Sequence, residues 1–136
     1  MIFPSEKASE MIVKTESWQR IAEFYRSLSA KHPVFQPMTQ LAERIEASPY
    51  AKGLYAWTSM HTLCIAQTAE PDSDKEVLRI SLDTREGALI LDFQETASQL
   101  PKYQHWTRRC PPEEGFSRLE RFLRLKNWFV EERSGV

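Results

Sequence analysis

Cys110 is the residue whose neighbours most directly suggest chemistry. Arg108 and Arg109 precede it, and Pro111-Pro112 lead into a stretch that reads as a helix. Cationic neighbours and a helix N-terminus favour the thiolate, the reactive form of cysteine. Glu113 and Glu114 oppose that field, and the two prolines remove the nearest amide donors. Two readings follow, a reactive thiol and a packed one, and the balance favours packing.

His61, Cys64, His105 and Cys110 offer imidazole and thiolate ligands of the kind that bind zinc. Residues three apart on an extended strand point to opposite faces and lie about 10 Å apart, however. His61 and Cys64 could share an ion only across a sharp bend. Asp72, Asp74 and Glu76 resemble the start of a calcium loop but lack its glycine and distal glutamate. The sequence therefore gives no metal site and no cofactor. His105 beside Trp106 could line a pocket as a general base near neutral pH. With Arg109 and Cys110, these two define one reading: a small enzyme or ligand-binding protein whose pocket lies between sheet and helices.

Arg118, Arg121 and Arg124 recur every three residues, a basic arc of about 120° on a helix. Tyr103, Trp106, Arg108 and Arg109 lie just upstream, so arginines and aromatics interleave. That combination suits an acidic protein surface or a phosphate backbone. Glu120, Glu131 and Glu132 balance it, and the net charge of -1 supplies no global field toward nucleic acid or membrane. Nucleic acid is the less favoured partner. Phosphate-loop, zinc-protease, C-x-x-C and G-x-S-x-G patterns are all missing.

The elements that must position these residues follow from periodicity. Ala8, Met11 and Ile12 suggest a short helix over 5–14. Trp18, Ile21, Ala22, Tyr25 and Leu28 define a helix over about 16–31, capped by Thr15 or Ser17 and ended by Pro33. Met38, Leu41, Ala42 and Ile45 stripe a second helix that begins at Pro37 and stops at Pro49. From Gly53 the period becomes two. Strands are predicted over 54–59, 62–68, 77–83 and 88–94, with a fifth over 103–109. A C-terminal helix over about 112–130 carries Phe116, Leu119, Phe122, Leu123 and Phe129. The acidic link 69–75 reads as an exposed loop.

Side-chain logic sets the hairpin registers. With a loop at 84–87, Leu82 faces Leu89, Ile80 faces Leu91, Leu78 faces Phe93, and Arg79 faces Asp92. A one-residue slip would set Ile80 against Asp92. In the first hairpin, a Met60-His61 turn sets Trp57 opposite Cys64 and Tyr55 opposite Ala66. That turn lacks the usual Gly or Asn. Tyr55, Trp57, Cys64, Ala66, Ser81 and Ile90 then share a second sheet face. Either the C-terminal helix covers it, or it is open as an interface or groove.

The fold expected is one α+β domain over residues 1–136. It has N-terminal helices, an antiparallel four- to five-stranded β-meander and a C-terminal amphipathic helix. The 136 residues, 41% hydrophobic and 27% charged, suffice for a core without disulfide or metal staples. Two cysteines, no signal-like apolar core in residues 1–10 and no run of ~18 apolar residues point to a cytoplasmic protein that does not span a membrane. The functional expectation is a non-catalytic interaction or assembly module. It would pair as a homodimer or with a protein partner through Tyr55, Trp57, Trp106, Arg109, Arg118, Arg121 and Arg124.

Overall fold

A computed structural model describes residues 14–68, 77–94 and 105–128. The helix expected over 5–14, the acidic link with Asp72, Asp74 and Glu76, and Tyr103 lie outside these residues.

The chain enters through a bridge between Glu16 and Ala56, where the Glu16 amide donates to the Ala56 carbonyl at 2.8 Å. Helix α1 (Trp18–Lys31) follows. The Ser17 side chain accepts from the Arg20 amide and caps its start. A 3-10 turn over Pro33–Phe35 leads into α2 (Gln36–Glu46). The helices bury Trp18, Ile21, Ala22 and Tyr25 of the α1 stripe, with Leu28 half-buried at its end, and Met38, Leu41, Ala42 and Ile45 on α2. Between them the buried Thr39 hydroxyl donates to the Tyr25 carbonyl at 2.8 Å, so the polar group crosses the core with its bond made.

Strands β1 (Tyr55–Ser59), β2 (Thr62–Ala66), β3 (Val77–Asp83), β4 (Ala88–Gln94) and β5 (His105–Cys110) form one antiparallel sheet in chain order. Both predicted registers hold: Trp57 faces Cys64, Tyr55 faces Ala66, Ile80 faces Leu91 and Arg79 faces Asp92. Asp83 shapes the β3–β4 turn. Its Oδ1 accepts from the Arg85 amide at 2.9 Å, and its carbonyl accepts from Gly87 at 2.7 Å. Gly87 takes φ +71°, a conformation that glycine adopts without strain.

The β1–β2 turn is different. Met60 has φ +57° and is 86% exposed, so neither its conformation nor its burial favours that residue. The turn is held from outside. The Tyr25 hydroxyl on α1 donates to the His61 carbonyl at 2.9 Å.

Helix α3 (Gly115–Leu125) is shorter than the predicted 112–130. A 3-10 turn over Pro112–Glu114 replaces its first turn, so Glu113 and Glu114 precede the helix. It ends in a Schellman arrangement: Asn127 takes φ +59°, its amide bonds to the Arg124 carbonyl, and the Trp128 amide bonds to the Leu123 carbonyl. That turn folds Trp128 back into the core, where it is 3% exposed. Phe129 lies outside the described residues.

All three helices pack on one face of the sheet. Their buried residues form a single core with Leu63, Ile65, Leu78, Ile80, Leu89, Leu91 and Phe93. Gly115 sits so close to β4 that a Cβ there would stand 2.5 Å from Leu89 Cδ1. The C-terminal helix therefore does not cover the second sheet face; it lies beside the N-terminal helices. No helix among the described residues is long and apolar enough to cross a membrane.

Candidate functional site

Alternation along five paired strands sorts the sequence-selected residues onto two faces. The face away from the helices carries Tyr55 and Trp57 of β1, Cys64 and Ala66 of β2, Val77, Arg79, Ser81 and Asp83 of β3, Ile90 and Asp92 of β4, and Thr107 and Arg109 of β5. One row across it reads Trp57, Cys64, Arg79, Asp92, Thr107. Another reads Ser81, Ile90, Arg109.

This face has two halves. Trp57, Cys64, Ala66 and Val77 form a separate small core, and Trp57 is only 7% exposed within the single chain. Tyr55 at the β1 edge is 36% exposed. Toward β5 the face is more open: Ser81 and Ile90 are half-buried, and Thr107 and Arg109 are exposed.

The open half carries charges of both signs. Arg109 Nη2 lies 2.6 Å from Asp83 Oδ2 and 3.0 Å from Glu86 Oε1. The Arg109 hydrogen bond, followed by the Arg85 amide, holds the Asp83 carboxyl below its ordinary pKa. Thr107 Oγ1 donates to Asp92 Oδ1 at 2.9 Å, beside Arg79 in the same row. Arg109 is thus part of the hairpin's ion-pair cluster, a role that its distance in sequence from Asp83 conceals.

The pocket expected from His105, Trp106, Arg109 and Cys110 is not formed by these residues together. Trp106 and Cys110 face the helices, and Arg109 faces away. Arg109 and Cys110 instead line a shallow depression of about 360 Å³ with Glu86, Gly87, Ala88, Pro111 and Pro112. His105 begins β5 opposite Gln94.

Both cysteines are free and buried. Burial is the largest influence on each and raises its thiol pKa. The cation that partly opposes this at Cys110 is Arg118, one turn into α3, with Glu114 and Glu113 reinforcing the rise. The adjacent Arg108 and Arg109 are not the cations that act on it. Cys64 and Cys110 lie on opposite sheet faces, so they cannot share a disulfide or a metal ion. Among the described residues no group of three or more His, Cys, Asp or Glu converges on a cation site.

A second surface forms where α3 lies over β5. Phe93, Trp106, Phe122, Leu125 and Lys126 line a cavity of about 260 Å³. Phe122 is its centre, with ring centroids 5.1 Å from Phe93, 5.0 Å from Trp106 and 5.2 Å from Trp128. Arg108 lies over the Trp106 ring at 4.7 Å. The helical arc of arginines divides: Arg118 is half-buried and bonded to Glu114 at 3.0 Å, whereas Arg121 and Arg124 are exposed. The stripe of α3 was legible in the sequence. The cavity was not, because it depends on α3 lying back over β5, which sets Phe122 against Trp106 and Phe93.

No protein-family model matches the chain, no curated protein matches it in sequence, and no solved structure matches its fold.

Proposed function

We propose that the chain is a non-catalytic interaction module that self-associates through the sheet face opposite its helices. The observation that carries this reading is the one-sided stacking of α1, α2 and α3, which leaves the other face without a helix among the described residues. An isologous contact needs a self-complementary patch. Here Arg79 and Arg109 stand among Asp83, Glu86 and Asp92, so a two-fold copy can set each sign against its opposite. Ile90, between Ser81 and Arg109, supplies the apolar centre.

Burial narrows the residues on which this reading can rest. Trp57 is already out of water within one chain, so its burial cannot drive association. Tyr55 and Ile90 remain. Five strands about 4.8 Å apart and ~20 Å long present a face of roughly 20 by 20 Å. That places the contact at the small, weak end of specific interfaces, so the pairing is concentration-dependent.

Isotope-filtered NMR on a mixture of labelled and unlabelled chains tests this reading. Intermolecular contacts are expected at the Ile90 methyls and the Tyr55 ring, and Ile90→Lys should abolish them while leaving the fold intact. Intermolecular contacts confined to other surfaces, or none at concentrations near a millimolar, would refute it.

A further inference from the structure

We propose that the notch between β5 and α3 is a docking site for an acidic protein segment that carries one large apolar side chain. The surface is distinct from the sheet face, and the inference stands on its own observations.

The notch combines an apolar floor with nearby arginines that pair with no carboxylate among the described residues. Phe93 and Phe122 are fully buried beneath it, Trp106 is half-buried in its wall, and Leu125, 64% exposed, stands at its rim. Arg121 is one turn before Leu125 and so lies beside it on the helix surface. Arg108 approaches from β5. Among the described residues no carboxylate pairs with Arg108 or Arg121, although Arg26 and Arg118 each have one and Arg109 has two.

Size selects the kind of occupant. Sites for whole small ligands run to about 300–1,000 Å³. At about 260 Å³ this cavity is smaller, the scale of one anchoring side chain. The remaining contact must then lie outside the cavity, where the Arg108 and Arg121 guanidinium groups select carboxylates. An extended or helical segment with one aromatic or large aliphatic residue between acids satisfies both requirements.

The same geometry argues against single-stranded nucleic acid. Bases stack on open ring faces. Arg108 occupies one side of the Trp106 ring at 4.7 Å, and Phe122 packs against it at 5.0 Å. No ring of the notch presents a free platform.

Fluorescence anisotropy with a fluorescein-labelled peptide of one phenylalanine flanked by glutamates tests the proposal. Binding should weaken about tenfold or more when glutamine replaces glutamate, when alanine replaces phenylalanine, and in Arg121→Glu and Leu125→Glu. Both substituted positions are exposed on α3, so unchanged circular dichroism should accompany the loss. Arg20→Glu, exposed on α1 and outside both surfaces, should bind as the parent does. Four outcomes would overturn the proposal: no binding, equal binding of the glutamine peptide, binding unaffected by Leu125→Glu, or binding of a labelled oligothymidylate in preference to the peptide.

Discussion

At the scale of single residues, environment decides what the two thiols can do. Cys110 directly follows two arginines in sequence, yet the strand turns it toward the helices and burial outweighs the one opposing cation, Arg118. Cys64 is likewise raised by burial, with Arg79 opposing. Native Cys64 and Cys110 should therefore react with iodoacetamide far more slowly than the unfolded chain at the same pH; native alkylation at the free-cysteine rate would contradict this. The same shifts set a pH dependence. An unfolded thiol ionises near pH 8.5, whereas the buried thiols keep their protons to higher pH. Above that value the unfolded chain binds fewer protons than the folded one, so stability falls as pH rises. Replacing Cys110 with Ala should flatten part of that fall in thermal melts between about pH 8 and 10. An unchanged slope would show that Cys110 does not contribute to it.

At the scale of elements, the residues that pair or cap locally were the legible ones. Alternation over 77–94 and the Arg79–Asp92 pair allowed one register, and that register is present. The end of α3 was misjudged because the apolar stripe continues through Phe129, while Asn127 adopts the left-handed conformation and stops the helix at Leu125. The β1–β2 turn was legible as a turn but not as a stable one, since its support comes from Tyr25, 36 residues away. This turn stores strain. A left-handed non-glycine residue costs about 1–2 kcal/mol, and glycine's extra chain entropy offsets about 0.5–1 of that. Met60→Gly should therefore stabilise the protein by about 0.5–1 kcal/mol, raising the melting midpoint by a few degrees. A lowered midpoint would mean that the Met60 side chain makes a stabilising contact despite its exposure.

At the scale of the whole molecule, the decisive feature is a two-layer arrangement with every described helix on one side. Composition and strand order foretold the class, α+β with a meander, because both follow from local periodicity. Which layer α3 joins was not legible, since an amphipathic helix fits either face of a sheet whose two sides both carry apolar residues. The answer lies in contacts such as Gly115 against Leu89 and Phe122 among Phe93, Trp106 and Trp128. The candidate sites were legible in composition more than in placement. Trp57, selected as an interface residue, is spent on an internal cluster, and Arg109 is engaged by Asp83 and Glu86. Trp106 and Phe122 come together only because α3 runs back over β5. Sedimentation equilibrium of the chain from micromolar to near-millimolar concentration tests the self-association most directly. The apparent mass should rise with concentration from 15.9 kDa toward twice that value, and Ile90→Lys should hold it at the lower mass. A parent chain that stays at 15.9 kDa throughout would contradict the proposal.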